Sequence, residues 1–579
     1  MPPWKNKMTV SRRALLQTGV LAAAAVKAGF WIEEAHAQAA SDQYRDLFAP
    51  LDRFVEQYMR DMNSPGMTLV LADRDGVHRV VTYGFGDLES KRKVDAGELF
   101  HIGSISKSFI ALVLLQLHDE GKLDFHRPVT EYLPWFPVAS SFAPITTHHL
   151  LTHSSGLPGA SDVFLSDPAQ RHLAAYAPGQ QFHYNNMAFA LLGHLAWTLD
   201  GRELPRLFRE RIFQPLGMTK SEPIIDFDMR ERTVKNYAPF LSDRPYARFG
   251  KLSEAPPIAL GTAAGCIAST AGDMGLYLRM IANRGRGPKA NLISSSGFEL
   301  FSKPHIKAED FGPTASYGYG IAVDQLEGNT ILRHTGGMVS FMSSMMVNLD
   351  EGVGAFASIN AQQGYRPSPV VEYAIQLMRA HRQHKALPPT PPSSLPTRVE
   401  NASDYKGVFT SSDGRKLEFA SEAEQLFVLH QGKRVALEKA GAPDRFLALD
   451  ATLGRFPLIF GRKQADAKPA AAVVEVSWGG DWYTNVSYAG PRQFDYPKEW
   501  DSYVGHYRNE SPWLSSTRVV VLKGKLMLDG VTPIEADGKL FRLRGEPGNT
   551  EYIQFGPIVN GKCMRLKFSG EDLWRIPAA

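Results

Sequence analysis

Apolar residues recur at three- and four-residue steps through 42–62, where Leu47, Leu51, Phe54, Val55, Tyr58 and Met59 share one side of a predicted amphipathic helix. Ser64-Pro65-Gly66 ends that period. Residues 67–72 and 77–85 then read as two strands around the turn Asp73-Arg74-Asp75-Gly76. From 106 to 118 the pattern changes again, with Phe109, Ile110, Leu112, Val113, Leu114, Leu115 and Leu117 covering nearly every face. A helix that is apolar all round is expected in the middle of a domain, and Gly121 is placed to stop it.

The middle third is loops and helices punctuated by Pro and Gly, with one helix predicted over 187–199. Short strands return between 317 and 360, in GYGIAVDQ, NTILRHTGG, FMSSMMVNL and GAFASIN. A last helix is predicted over about 369–384. Strands at both ends with helices between imply one sheet built from the two ends of an α+β domain, 42–385. Leu387-Pro388-Pro389-Thr390-Pro391-Pro392 lies in a stiff, Pro-rich linker, 386–399. Beyond it, alternating runs and Gly/Asp turns predict two small all-β, barrel-like modules, 400–494 and 499–579. They echo each other: DYKGVF (404–409) matches SYVGHY (502–507), and DRFLAL (444–449) matches GKLFRL (538–543).

A length of 579 residues fits several domains, and 44% apolar with 21% charged residues is the composition of globular protein. The net charge of +4 is concentrated at the start, where 1–37 hold five basic and two acidic residues. The nearly neutral remainder argues against nucleic acid as a partner. Within 1–37, Ser11-Arg12-Arg13-Ala14-Leu15-Leu16 resembles a twin-arginine export signal, and Ala35-His36-Ala37 a cleavage site. The apolar run between them falls short of the roughly 20 residues that span a bilayer. The reading is a signal peptide over 1–37, a periplasmic or secreted product, and no integral membrane span after its removal. Two cysteines, Cys266 and Cys563, are too few for a disulfide framework and are expected as buried thiols.

Ser-x-x-Lys occurs three times, at Ser90/Lys93, Ser104/Lys107 and Ser403/Lys406. Only the second stands where a polar turn enters the buried helix, and i, i+3 spacing stacks its side chains on one face. A desolvated lysine there can take the serine proton, while the helix N-terminus favours an oxyanion. Tyr-x-Asn also occurs three times. Tyr483 and Tyr507 fall in the β modules as packing residues, whereas Tyr184-Asn185-Asn186 follows a turn-rich loop and opens a helix. His334-Thr335-Gly336 occurs once, followed by Gly337, on a strand whose glycines allow close approach of a substrate backbone.

In this order the three motifs resemble the signature of the penicillin-recognising serine hydrolases, in their class C β-lactamase-like branch of β-lactamases, esterases and D-amino-acid peptidases. LLTHSSGLP (150–158), FQPLGMTKS (213–221) and HTGGMVSF (334–341) extend the resemblance over about 45–385. It implies an antiparallel sheet flanked by helices beside a helical region, with the site between them. It also implies Ser104 as the acylated nucleophile, Lys107 as its proton partner, Tyr184 in the proton relay and Asn186 on the substrate amide. The N–H groups of Ser104 and Gly337 would form the oxyanion hole, and no cofactor or metal is implied. The substrate would be a small molecule or peptide.

His334 stands where penicillin-directed members usually have lysine. A neutral imidazole offers a carboxylate no cation, so esters, or amides and peptides with D-residues, are expected ahead of β-lactams. A β-lactamase or D-Ala-D-Ala carboxypeptidase is an alternative, as is a non-catalytic cell-envelope binding protein. The i, i+4 pair His149 and His153 lacks the glutamate of HExxH and is not expected to hold metal. Ser154 and Ser155 are expected as turn residues, Asp273 as a helix cap, and Trp478, Trp482 and Trp513 as barrel core.

Overall fold

The computed structural model describes residues 42–577, apart from 137, 166–170, 363, 393–394, 464–470, 512 and 545–548. The expected signal peptide lies outside the described residues. The first helix is α1, Arg45–Met62, whose apolar side is buried and whose left-handed C-cap is Asn63. Strands β1, Gly66–Asp73, and β2, Val77–Asp87, follow as an antiparallel pair. The central helix is α2, Ser106–Asp119, and beyond it Gly121 takes a positive φ of 71° and donates its N–H to His118.

β1 lies inside a nine-stranded antiparallel sheet. Its order is Ile306–Lys307, Ser316–Tyr317, β3 (Ala322–Leu326), β4 (Asn329–Gly337), β5 (Met342–Asn348), β6 (Val353–Ile359), β1, β2, Arg92–Lys93. Met67 opposes Ile359 across the β1–β6 junction, so the two ends of the domain meet in the middle of the sheet, as the two-ended strand pattern predicts. Alternation along β1 sends side chains to two cores. Val70 and Ala72 pack with α2, α3 (Asn186–Asp200) and α4 (Ala271–Ala282). Leu69 and Leu71 pack with α1 and α5 (Ser368–Arg382). β1 is therefore buried along its whole length, as a strand covered on both faces must be.

The C-terminal third holds two closed, eight-stranded barrels, the first running from Gly407–Thr410 to Asp481–Thr484 and the second from Gly505–Arg508 to Glu571–Ile576. The echoed sequences lead into equivalent strands. One pair enters the first strand of each barrel, and the other forms the fifth, Arg445–Ala448 and Leu540–Leu543. Closure removes the exposed edges that short strands otherwise leave. The barrels touch through Lys523 and Glu475 (2.9 Å). They reach the first domain through Arg518 to Asp243 (2.5 Å) and through Glu438, which accepts the Arg248 N–H (2.7 Å).

Three expectations need correction or refinement. Trp513 is 51% exposed and is not barrel core. Trp482 lies at the seam between the barrels, under Lys523 and donating to Glu475, because its indole N–H finds an acceptor there. Trp478 does pack on the first barrel's core. The cap of α4 is Thr270, and Asp273 instead accepts the N–H groups of Lys220 and Ser221 and the Ser221 hydroxyl, tying FQPLGMTKS to the helix. Cys266 and Cys563 are both buried free thiols. Among the described residues, no helix is long and apolar enough to cross a membrane.

Candidate active site

The chain enters α2 through a short 3-10 turn, Gly103–Ile105, which carries Ser104. Two glycine-dependent contacts press this turn against β4. A β-carbon on Gly336 would stand 1.9 Å from the Ile102 carbonyl oxygen, and one on Gly103 (φ 56°) would stand 2.9 Å from both N and O of Gly337. No other residue permits that approach. β3 pairs with β4 only as far as Arg333, leaving His334 to Gly337 on an open edge. Met338 donates its N–H to Phe341, so the alternation of the antiparallel ladder turns the Gly337 N–H away from β5, out of that edge.

Lys107, one helical turn beyond Ser104, is fully buried. Its Nζ lies 3.2 Å from Ser104 Oγ, 2.8 Å from Asn186 Oδ1 and 2.8 Å from the Ala264 carbonyl oxygen. Burial holds its pKa well below that of an ordinary lysine. The amine also sits 4.8 Å from the centre of the Tyr184 ring. Burial raises the Tyr184 phenol pKa, against the hydrogen bond with Ser104 and the nearby charge of Arg366.

Tyr184 is held by the residue that follows it. Asn185 caps α3 by accepting the Ala188 N–H (2.7 Å), donates to the Leu157 carbonyl (2.7 Å), and gives its backbone N–H to His153 Nδ1 (2.9 Å). This explains the LLTHSSGLP stretch. The buried His153 ring packs 4.3 Å from Tyr184 and 4.9 Å from Tyr317, while burial keeps its pKa well below 6.5. His149 closes a capping box with Thr146 instead. Ser154 bonds Thr152, and Ser155 the Leu157 N–H, as turn residues.

His334 is buried, and burial pushes its pKa down to about 3. Its Nδ1 lies 2.7 Å from the Thr335 carbonyl, which can only accept, so the ring proton is on Nδ1. Nε2 then accepts from the Tyr317 hydroxyl at 2.8 Å. The imidazole is neutral. A cation nevertheless stands nearby. A β-carbon on Gly337 would lie 3.5 Å from Arg366 Nη1, and the exposed Arg366 side chain has no ion-pair partner among the described residues.

The structure thus brings Ser104, Lys107, Tyr184, Asn186, His334, Thr335, Gly336 and Gly337 to one place. The other motif copies stay apart: Ser90, Lys93, Ser403 and Lys406 are exposed, while Tyr483 and Tyr507 are buried in barrels. Sequence reasoning missed Tyr317 and Arg366. Tyr317 lies in the short strand Ser316–Tyr317 before GYGIAVDQ, and Arg366 in the turn before α5; neither belongs to a motif with its own spacing.

The chain matches the Beta-lactamase family over residues 51–379. It is 31% identical over 198 residues to the esterase EstB of Burkholderia gladioli, covering 30% of this chain and 50% of that protein. It is 27% identical over 242 residues to a β-lactamase of Pseudomonas fluorescens, covering 41% of this chain and 64% of that protein. The matches thus span between half and two thirds of these relatives. The structure of an octameric penicillin-binding protein homologue from Pyrococcus abyssi aligns over 86% of this chain and 98% of its own, at 20% identity and a TM-score of 0.52, a likeness of fold. With the family match running through more than half of the chain, from α1 to α5 and across the whole cluster around Ser104, the protein belongs to the Beta-lactamase family.

Proposed function

We propose that the protein is an exported serine hydrolase that forms an acyl-enzyme on Ser104 and acts on esters, or on amides and peptides containing D-amino acids. The observation that carries this reading is the buried Lys107 amine beside the Ser104 hydroxyl. In its neutral form, the two N–H bonds serve Asn186 Oδ1 and the Ala264 carbonyl, and the lone pair is left facing the serine hydroxyl. Ser104 Oγ attacks the substrate carbonyl as its proton passes to the coupled Lys107–Tyr184 pair. The N–H groups of Ser104 and Gly337 receive the oxyanion. The same pair returns the proton to the leaving group, and water then cleaves the acyl-enzyme. The twin-arginine pattern in 1–37 supports export.

Neutral His334 favours substrates without a carboxylate at that position. Arg366 favours a second reading, a β-lactamase or D-Ala-D-Ala carboxypeptidase, because its guanidinium beside Gly337, with no ion-pair partner among the described residues, suits an anionic group. Fluorophosphonate labelling tests the nucleophile. Wild type is expected to be labelled and Ser104→Ala not; a folded wild type that resists labelling favours the binding-protein alternative. A panel of p-nitrophenyl esters, D-amino-acid amides and a chromogenic cephalosporin separates the substrate readings. A high kcat/KM on the cephalosporin that collapses in Arg366→Ala would replace the first reading by the second.

A further inference from the structure

The loop that carries Tyr184 is held from outside its own domain. Glu551, in the second barrel, has a largely buried side chain whose Oε1 accepts the N–H groups of Gly159 (2.7 Å) and Ala160 (3.2 Å). The same oxygen lies 3.5 Å from Nε2 of His183, the residue before Tyr184. The neighbouring Thr550 donates its hydroxyl to the Leu157 carbonyl (3.1 Å), the acceptor that Asn185 also uses. Gly159 has no room for a side chain between these parts. A β-carbon there would meet the Tyr184 carbonyl oxygen at 2.8 Å, the Asn185 Cα at 3.3 Å and Glu551 Oε1 at 3.3 Å. The turn at 157–160 is therefore clasped between Thr550-Glu551 on one side and Tyr184-Asn185 on the other. Ser161 adds a hydrogen bond to the Ser569 carbonyl of the same barrel.

From this geometry we infer that Glu551 is a positioning residue for Tyr184. The second barrel, through Glu551 and Thr550, sets the height of the 157–160 turn and so the placement of the Tyr184 phenol over Ser104 and Lys107. A carboxylate suits the task because one oxygen accepts from two converging backbone donors. The kinetic part of the claim rests on the function proposed above, since it is read through Ser104.

Three variants test it. Glu551→Asp keeps the charge but withdraws the oxygen by one methylene. Glu551→Gln keeps the reach and drops the charge. Arg518→Ala removes a different contact of the same barrel, the pair with Asp243, without touching the 157–160 turn. The rate of fluorophosphonate labelling of Ser104 is expected to fall at least tenfold in Glu551→Asp and to stay within threefold of wild type in Glu551→Gln and Arg518→Ala. With a p-nitrophenyl ester, the loss in Glu551→Asp should appear in kcat, with KM within twofold. Wild-type rates in Glu551→Asp, or an equal loss in Arg518→Ala, overturn the inference. If Glu551→Asp does not fold, Thr550→Val serves instead, expected at least threefold slower, and a wild-type rate there overturns it equally. Hydrogen exchange of the 184–187 amides should quicken in the Glu551 or Thr550 variant and not in Arg518→Ala. That readout judges the clasp even if Ser104 of the wild type is never labelled, the result that would refute the proposed function instead.

Discussion

Burial acts on the ionisable side chains of the site in one direction, toward their neutral forms. Lys107 and His334 are pushed down and Tyr184 up, mainly by desolvation. His101 is likewise held to about 3 and His148 to about 4, in both cases chiefly by burial. A histidine whose folded pKa lies below its unfolded value near 6.5 takes up its proton first in the unfolded chain. Its contribution to stability is complete above about pH 6.5 and is lost as the pH falls toward the folded value. Each such histidine contributes up to about 1.4 kcal/mol per pH unit in that window. Urea midpoints are expected to fall steadily between pH 6.5 and 5, before ordinary carboxylates begin to titrate. In His334→Gln, which keeps hydrogen-bonding capacity toward Tyr317 and Thr335, the fall should be shallower. An identical slope would show that His334 already carries its proton in the fold.

The turn that carries Ser104 forms one unit with β4 because glycine lets their backbones touch. Gly336 shows this most sharply, since any β-carbon would run into the Ile102 carbonyl. Gly336→Ala must push the strand and the turn apart, taking the Gly337 N–H away from Ser104. A displacement near 1 Å costs roughly a hundredfold in rate. Labelling of Ser104 is therefore expected about a hundredfold slower, with the far-UV circular dichroism unchanged. Labelling at the wild-type rate would mean that the two elements are not rigidly apposed. The glycines of HTGG thus have a use beyond the approach of substrate backbone that the sequence suggests, and only the facing turn reveals it.

Residues 385–390 join the domains without regular secondary structure and are mostly exposed, and cohesion between domains comes instead from side-chain contacts with loops of the first. A protease site inserted after Lys385 checks this. The cut protein is expected to elute as one species at physiological salt and to label at Ser104 within twofold of the uncut chain. Separation into two species would show that the contacts with Asp243, Arg248 and the 157–160 turn do not hold without the covalent link.

Local patterns determined much of this protein. The all-round apolar run of 106–118 required a central helix, the strand periods at both ends of 42–385 required a shared sheet, and the echo between 404–449 and 502–543 announced paired barrels. The order of Ser104-x-x-Lys107, Tyr184-x-Asn186 and His334-Thr335-Gly336 marked the site, because spacing within a helix or loop is a property of the local chain. Other features depended on which distant segments meet. Nothing near Asn549-Thr550-Glu551 in sequence speaks of Tyr184, and nothing near Arg366 speaks of Gly337. The use of Asp273 to hold Lys220 and Ser221, rather than to cap α4, was likewise settled by neighbours far along the chain. Charge, burial and backbone contact at the site arise from packing across hundreds of residues, and packing is decided only when the chain has folded.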